Sequence, residues 1–519
     1  MKVLLTHGYF LEEDVKEQRL MRPYPPLGIL YLAAYLHDRG IPATVFDTTF
    51  SSRAALERHL VATRPDVVGV YTNLMTKQAV LGIVRFIRSR PALAGTRVVL
   101  GGPECTHHAE RFLEHGADVV VVGEGEETMA ALVRAWGQGG GDGGGAGALA
   151  GVAGIVFRDE SGAVVRTPAR ALLRSLDELP MPRREALDLQ PYLDAWRRRH
   201  GTNAVSLSTM RGCPYTCRWC SRAVYGGSYR RRSPRLVVDE IELVAARYHP
   251  DSLWFVDDVF TINHRWLEEL TVELERRKLR VPYECITRAD RLNEHVAALL
   301  KRSGCFRVWI GAESGSQKVL DAMDRRVTVE EVGDMIRLCK RTGIETGTFI
   351  MLGYPGETEA DIIATIDHLK RSDPDHFTIT VAYPIKGTPY YEDVSQDIVD
   401  VRPWEETTDR DLQLRRPHSP LYYRCAVARV VNEVRSFQLA RRAGGRPTLE
   451  EARHRVQALL AGAGMRAAPL LSALQARAAG ILRPASAPPA ATAPTAPPEP
   501  APVIPVPLRR NKPRPQHPG

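Results

Sequence analysis

The stretch "STMRGCPYTCRWCSRA" at residues 208–223 places three cysteines, Cys213, Cys217 and Cys220, within eight positions. A structural zinc site needs four ligands, and no second Cys-x-x-Cys or His-x-x-x-His lies close to this stretch to complete one. A thioredoxin-like redox pair would use Cys217 and Cys220 but would leave Cys213 without a role. An iron–sulfur cluster held by only three thiolates keeps one iron open to another ligand, which suits a catalyst. The spacing therefore indicates a metal or redox site.

The cysteines directly follow the first strand of a repeating strand–helix pattern. Between residues 204 and 402, six short runs rich in β-branched residues alternate with helical patterns. Six such units are fewer than the eight of a closed barrel, so we predict a partial (β/α)6 barrel. Active sites of βα barrels are built from the loops at the carboxyl ends of the strands, which is where the cysteine loop falls.

A second strand–helix pattern, in residues 1–136, predicts a doubly wound, Rossmann-like parallel sheet, whose ligands would lie beyond the carboxyl ends of its strands. The predicted fold class is therefore α/β, with this sheet followed by the barrel, a helical region and a tail. The predicted parts are a Rossmann-like domain at 1–136, a Gly-rich linker at 137–150, a hairpin and connecting segment at 151–203, the partial barrel at 204–402, a helical C-terminal region at 403–480 and a disordered Pro/Ala-rich tail at 481–519.

Composition and charge narrow the class of protein. Of the 519 residues, 44% are hydrophobic and 25% are charged, as in globular proteins. Part of the net charge of +9 lies in the tail, and no basic stripe with interleaved aromatic residues is present, so we expect no nucleic-acid partner. No apolar run is long enough for a transmembrane segment or a signal peptide. Eight cysteines are too few for a disulfide framework in so long a chain, and we expect a cytoplasmic protein.

The cysteine loop resembles the cluster loop of the radical S-adenosylmethionine enzymes. The shared features are the Cys-x3-Cys-x2-Cys spacing, an aromatic residue before the last cysteine, and the position after the first barrel strand. The resemblance implies a 4Fe-4S cluster bound by Cys213, Cys217 and Cys220, with S-adenosylmethionine on the open iron. The residues implied for S-adenosylmethionine binding are Trp219, Asp257, Glu313, Ser314, Gly353 and Tyr354.

Four of these residues have structural alternatives. Glu313 and Ser314 could cap the helix that follows them, and Asp257 with its neighbour Asp258 could form a strand-end turn. Trp219 could be an ordinary core aromatic residue. We assign no catalytic side chain beyond the cluster ligands.

The N-terminal region resembles the cobalamin-binding domain that is fused to a large subgroup of radical S-adenosylmethionine enzymes. The matching stretches are "YPPLGILYLAAYLHDRG", "VVGVYT", "GGPECTHH" and "VVGEGEET". Strand-end glycines would let the backbone approach a large flat ring. The Asp-x-His-x-x-Gly motif, which supplies a histidine ligand to cobalt in many cobalamin proteins, is absent, as is usual in this subgroup. The residues implied for cobalamin binding are Thr6, Tyr71, Thr72, Asn73, Leu74, Gly101, Gly102, Glu104, Gly123, Glu124 and Gly125.

Together the two resemblances imply an enzyme that uses both cofactors to modify an unactivated carbon, and methyl transfer is the leading hypothesis. The alternative is an oxidative cyclase or ring rearrangement of a tetrapyrrole or lipid-like substrate, as in the anaerobic magnesium-protoporphyrin monomethyl ester cyclase. A non-catalytic cobalamin or iron–sulfur sensor would need the cysteines but not Glu313 or the strand-end turns. The chemistry implies a low-potential electron donor of the flavodoxin or ferredoxin type and a bulky organic substrate, which the sequence does not identify.

Overall fold

The computed structural model describes residues 1–138, 146–399 and 402–481. The middle of the predicted linker, residues 139–145, and the predicted tail from residue 482 onward lie outside the described residues. The limits of the domains remain predictions.

The N-terminal region forms a sheet of order β2-β1-β3-β4-β5-β6-β7. Its strands are β1 (Val3–His7), β2 (Ala43–Phe46), β3 (Val67–Tyr71), β4 (Arg97–Gly101), β5 (Val119–Val121), β6 (Ile155–Arg158) and β7 (Val164–Arg166). The helices are α1 (Val15–Leu20), α2 (Leu27–Asp38), α3 (Arg53–Thr63), α4 (Lys77–Ser89), α5 (Cys105–Glu114), α6 (Glu126–Gln138) and α7 (Ala146–Ala150). Strands β1 to β5 run parallel, which confirms the doubly wound sheet. The strand order reverses between β1 and β3, the point where sheets of this type bind ligands.

This sheet is buried on both faces. Leu5 packs in one apolar cluster with residues of α2 and α6, and the adjacent Leu4 packs in another with residues of α4 and α5. Successive strand residues point to opposite faces, so runs such as "VLLT" bury side chains on both sides. Each fully buried Leu or Val contributes about 1.5–3 kcal/mol. Because β6 pairs antiparallel with β5 and β7 pairs antiparallel with β6, the predicted hairpin extends this sheet.

The second large sheet has the order β15-β14-β13-β12-β11-β8, and all of its strands run parallel. Its strands are β8 (Ala204–Leu207), β11 (Ser252–Phe255), β12 (Tyr283–Thr287), β13 (Cys305–Glu313), β14 (Glu345–Leu352) and β15 (His376–Val381), and the short strands β9 (Met210–Arg211) and β10 (Arg230–Arg231) pair with each other after β8. The helices are α8 (Gln190–His200), α9 (Pro234–Tyr248), α10 (His264–Arg276), α11 (Glu294–Arg302), α12 (Gln317–Ala322), α13 (Val329–Arg341), α14 (Glu359–Ser372) and α15 (Pro389–Val394). Six parallel strands in chain order confirm the predicted partial barrel.

Two long helices follow the barrel. Helix α16 (Pro420–Arg442) packs against α14 and against α17 (Leu449–Ile481), and its residues Tyr422, Ala426 and Val430 join the barrel core. No helix within the described ranges is long and apolar enough to cross a membrane.

Candidate functional site

The carboxyl ends of the two sheets face a shared cavity of about 550 Å³. The N-terminal sheet contributes strand-end residues, and the barrel contributes the cysteine loop and the end of β11. Predicted site residues that line this cavity are Tyr71, Gly101, Gly102, Gly123, Glu124, Gly125, Cys213, Cys220 and Asp257. The structure therefore brings part of the predicted cobalamin set and part of the predicted cluster set to one space.

The cysteine loop is held at its start and in its middle by contacts with other segments. Gly212 has a φ of +82°, and a Cβ atom there would collide with the carbonyl oxygen of Ser228, so this position requires glycine. Further along, the Arg218 N–H donates to the Met323 carbonyl at 3.1 Å, and the Tyr390 N–H donates to the Arg218 carbonyl at 3.0 Å. The loop is thus fixed between the end of α12 and the start of α15.

The three cysteines occupy different environments in this loop. Cys217 is buried, Cys213 is half-buried and Cys220 is exposed. Two buried guanidinium groups point at the Cys217 thiol: Arg288 Nη1 lies 3.5 Å and Arg325 Nη1 lies 3.6 Å from Sγ. N–H groups and positive charge at this distance stabilise a thiolate. Burial raises the pKa of Cys213, and the nearby Asp258 and Cys217 raise it further, so a bound metal would be needed to keep this thiol ionised.

The donor set is three thiols in one short loop, which is the set that holds a 4Fe-4S cluster with one open iron. In the part of the chain that the structure describes, no three His, Cys, Asp or Glu side chains converge as they would around one metal ion. A 4Fe-4S cluster distributes its thiolates over separate iron atoms, so its ligands need not converge on one point.

Glu313 has an unusual conformation at the end of β13. Its φ is +62°, which is rare for a residue with a side chain, and the register of β13 against β14 shifts at this point. The carboxylate is largely buried, with Arg325 Nη2 3.8 Å from Oε1. Burial raises the pKa of Glu313, while Arg325 and Arg288 oppose that rise. Because α12 begins at Gln317, Glu313 does not cap it, and a strained carboxylate here is typical of a binding position.

Four further predicted S-adenosylmethionine residues, Trp219, Ser314, Gly353 and Tyr354, are not among the residues that line the cavity. Trp219 packs against an apolar cluster that contains Tyr354, and the Tyr354 ring lies 5.0 Å from that of Tyr390. Gly353 has a φ of +77°, with Tyr423 in contact with the position a Cβ would take. Ser314 is buried and its hydroxyl lies 3.3 Å from that of Thr365, so it supports the strand end.

Asp257 and Asp258 have different surroundings. The buried Asp257 carboxylate accepts the Thr209 N–H at 2.7 Å and the Thr209 hydroxyl, and Arg231 lies 3.3 Å away. These contacts hold the end of β8 to the end of β11. Asp258 instead is exposed at the cavity, where it contributes to the raised pKa of Cys213 and Cys220. Of the two carboxylates, the one available at the site is therefore that of Asp258. From the sequence, its neighbour Asp257 is predicted as the binding residue.

The cobalamin-side glycines form an open floor in the cavity. A Cβ atom at Gly123 or Gly125 would meet no other atom within 4 Å, and one at Gly101 would lie 3.7 Å from Val121. Gly102 is more constrained, since its φ is +111° and a Cβ would collide with the Thr72 carbonyl. Open space above bare backbone is what a large planar ring requires, so these residues fit cobalamin.

Several predicted cobalamin residues do not reach the cavity. The Thr6 hydroxyl donates to the Phe46 carbonyl at 2.8 Å, and the Thr72 N–H donates to the Gly101 carbonyl at 2.7 Å. Asn73 Oδ1 accepts the N–H groups of Met75 and Thr76, which turns the chain into α4. Leu74 and Glu104 are not among the lining residues either. Burial raises the pKa of Glu104 to about 7, and its Oε1 lies 3.7 Å from His108 Nε2.

Glu124 lines the cavity, but its carboxylate is already paired. Arg211 Nη1 lies 2.9 Å from Oε1, Arg230 Nη1 lies 2.8 Å from Oε2, and Arg211 also binds Glu126. All four side chains are largely buried. Burial alone would raise the pKa of Glu124, but the hydrogen bonds from Arg230 and Arg211 hold the pKa below its usual range. This ion-pair network joins the N-terminal sheet to the cysteine loop.

Replacing Arg211 by Met should destabilise the protein by about 3–5 kcal/mol, because Glu126 would lose its guanidinium partner while buried. The stabilisation that Glu124 gains from its arginine partners is present at pH values above the pKa of Glu124 in the unfolded chain. It is lost as the pH falls through the lowered pKa of the folded state. The difference in stability between the wild type and Arg211→Met should therefore shrink in acid. Thermal unfolding followed by circular dichroism at neutral and acidic pH measures both effects. The matched control is Arg166→Met, since Arg166 pairs with Glu110 at the surface, where a bridge contributes less than about 1 kcal/mol. Equal losses of unfolding free energy in Arg211→Met and Arg166→Met would contradict the claim that the buried ion-pair network stabilises the protein.

Sequence reasoning missed the residues that act through contacts between distant segments. Arg288 and Arg325 follow β12 and α12, and Arg211 meets partners more than 80 positions away. Tyr225 lines the cavity with its ring 5.2 Å from the Arg211 guanidinium. The sequence did contain a signal that distinguishes Asp258 from Asp257. Side chains alternate along a strand, so two adjacent residues at a strand end point to opposite sides.

Comparison with known proteins agrees with this geometry. Residues 207–369 match the model of the Radical SAM superfamily, and residues 21–133 match that of the B12 binding domain. An uncharacterized methyltransferase of Pyrococcus horikoshii is 29% identical over 403 residues, covering 76% of this chain and 84% of that protein. The anaerobic magnesium-protoporphyrin IX monomethyl ester cyclase of Rubrivivax gelatinosus is 28% identical over 386 residues, which is 72% of this chain but 66% of the cyclase.

A solved structure shares the fold over most of this chain. OxsB, a cobalamin-dependent S-adenosylmethionine radical enzyme with aqua-cobalamin and S-adenosylmethionine bound, superposes with a TM-score of 0.68 at 17% identity, covering 88% of this chain and 72% of OxsB. The fold and the matched domains define a radical S-adenosylmethionine enzyme. This chain belongs to the members of that superfamily that carry an N-terminal B12-binding domain, and its cofactors are a 4Fe-4S cluster, S-adenosylmethionine and cobalamin.

Proposed function

We propose that this enzyme transfers a methyl group to an unactivated carbon of a bulky organic substrate. The observation that carries the proposal is the single cavity lined both by Cys213 and Cys220 and by the open glycines Gly123 and Gly125. A radical-generating centre and a methyl-transferring cofactor can act on the same carbon only if both reach the same space. The relative from Pyrococcus horikoshii, of which this chain spans 84%, is named a methyltransferase.

The proposed roles of the side chains follow from their contacts. Cys213, Cys217 and Cys220 hold the cluster, and Arg288 and Arg325 offset the negative charge at Cys217. Glu313 offers a buried carboxylate to polar hydrogens of S-adenosylmethionine, and Asp258 offers another at the cavity wall. When bound, the cluster and S-adenosylmethionine supply a carbon-centred radical, and cobalamin supplies methyl transfer. Residues 221–226 line the cavity beside the cysteine loop, and we expect them to limit the access of water to the reacting carbon.

The test is a product analysis on anaerobically purified protein reconstituted with iron, sulfide and hydroxocobalamin. After addition of S-adenosylmethionine and dithionite, methyl transfer should give both 5′-deoxyadenosine and S-adenosylhomocysteine, because one molecule is cleaved and a second donates its methyl group. Mass spectrometry quantifies both. Formation of 5′-deoxyadenosine without S-adenosylhomocysteine would refute methyl transfer and favour an oxidative cyclase. Zinc without sulfide in the purified protein would refute the radical chemistry altogether.

The cyclase alternative rests on the relatives that carry that name. This chain spans 66% of the Rubrivivax cyclase, so about a third of that enzyme has no counterpart in the match. The more complete match to a methyltransferase favours methyl transfer over ring closure.

The reductive cleavage of S-adenosylmethionine also indicates which electron donor and which cellular compartment to propose. Cleavage of S-adenosylmethionine needs an electron of low potential, and we propose a flavodoxin or ferredoxin as its donor. The eight cysteines lie unpaired in the structure, which supports a reducing compartment such as the cytoplasm.

A further inference from the structure

Helix α17 exposes a continuous apolar stripe. Seven large apolar side chains on it are 44–93% exposed, and we call them the leucine face: Leu449, Val456, Leu459, Leu460, Leu470, Leu471 and Leu474. At 3.6 residues per turn these positions fall within an arc of about 120°. The opposite side of the helix is buried against α16 through small residues and Met465.

A stripe of this kind needs a partner. Single exposed leucines are common on protein surfaces, but a contiguous apolar patch marks an interaction surface or a membrane contact. The leucine face extends over 26 residues, which is about 39 Å of helix. Since the packing of α17 against α16 is achieved by the other side of the helix, the leucine face does not contribute to it.

The surroundings of the leucine face are cationic. Residues 441–474 contain six arginines against two glutamates. Arg453 lies at one border of the stripe, and Arg455 and Arg466 lie along the other, by their positions on the helix. Of the two glutamates, Glu451 is buried and accepts a hydrogen bond from Ser436. An apolar stripe bordered by arginines is the pattern of helices that lie in a membrane interface.

We propose that α17 docks this protein on an anionic phospholipid membrane, with the leucine face in the acyl boundary and Arg453, Arg455 and Arg466 among the headgroups. The positive charge around the leucine face favours an anionic membrane over two other partners, a second copy of this chain and the segment 482–519. A second copy of the chain would bring the same arginines against each other. The segment 482–519 carries five Lys or Arg and one Glu, so it too is cationic and does not complement the border.

The test is flotation of the full-length protein with vesicles of phosphatidylcholine, with and without phosphatidylglycerol. The wild type should bind the mixed vesicles more tightly, and its binding should weaken as salt rises. Val456→Ser, Leu460→Ser and Leu470→Ser together should lower the partition coefficient about a hundredfold. Arg453→Gln, Arg455→Gln and Arg466→Gln should each lower it about fivefold on mixed vesicles.

A matched variant controls for the loss of exposed apolar surface in general. Leu243, Val272 and Ile363 are 39–53% exposed on other helices, and replacing all three by Ser should leave vesicle binding unchanged. The proposal is overturned if the wild type does not bind mixed vesicles, or if the two triple variants bind equally well.

A fluorescence measurement distinguishes a membrane from the other two partners that could cover the leucine face. Leu460→Trp should show a blue shift of its added tryptophan emission only when mixed vesicles are present. Emission that is already blue-shifted without vesicles would overturn the proposal, and its dependence on protein concentration would then distinguish a second copy from a segment of the same chain.

Discussion

Replacement of Cys213, Cys217 and Cys220 together by Ala should abolish both the visible absorbance of the iron–sulfur cluster and the formation of 5′-deoxyadenosine. The cysteines lie in one loop fixed by Gly212, Met323 and Tyr390, and the remaining described cysteines lie in other segments. Without these thiolates the cluster has no protein ligands, so the expected loss is complete rather than graded. Iron and acid-labile sulfide assays, together with mass spectrometry of the nucleoside, provide the readouts.

Two controls make this result specific. Cys425→Ala removes a half-buried thiol on α16, outside the loop, and should leave cluster content unchanged. The triple variant should also retain cobalamin, since the glycines proposed to hold it belong to the N-terminal sheet. Persistent 5′-deoxyadenosine in the triple variant would show that the ligands lie elsewhere, whereas a loss of cobalamin as well would point to misfolding.

The sequence predicted the two parallel sheets because local patterns specify them. Strand β1 reads "VLLTH" and is buried along its whole length, and the glycine of "TRVVLGG" marks the end of β4, so periodicity and turn residues locate the strands. The cysteine loop could be placed for the same reason, since it directly follows a strand. A turn that is set by tertiary contacts cannot be located from such local patterns, as at Gly212, whose conformation depends on Ser228.

Local sequence patterns could not predict which carboxylates are available to a ligand and which are paired with other side chains. Asp257 and Asp258 are adjacent and identical in type, yet Thr209 and Arg231 bind the first and leave the second at the cavity. Glu124 follows a glycine at a strand end, as a ligand-binding residue would, but Arg211 and Arg230 pair with it. Whether a polar side chain is available to a ligand depends on partners that are distant in sequence, and a local pattern contains no information about them.

The open glycines of the cavity allow the proposed cobalamin site to be tested without disturbing the cluster. Gly125 lines the cavity, its φ does not lie in the left-handed region, and a Cβ there would meet no atom within 4 Å. Gly125→Leu should therefore fold normally while placing a branched side chain where the ring would lie. Because overpacking a binding surface costs about 1–3 kcal/mol, we expect the affinity for cobalamin to fall about fivefold to 150-fold, and retention after desalting to fall with it. Iron and sulfide content should stay at the wild-type value.

The chain provides a matched control for this substitution. Gly95 also has open space around its Cβ position and lies outside the cavity lining, so Gly95→Leu adds the same side chain at a neutral place. Cobalamin bound per chain is measured from the absorbance of the extracted cofactor in both variants. If Gly125→Leu retains as much cobalamin as Gly95→Leu, the ring does not lie over the glycine floor, and the cavity between the two sheets would have to accommodate the substrate alone. If only Gly125→Leu loses cobalamin, the corrinoid and the cysteine loop share that cavity, as methyl transfer to a radical carbon requires.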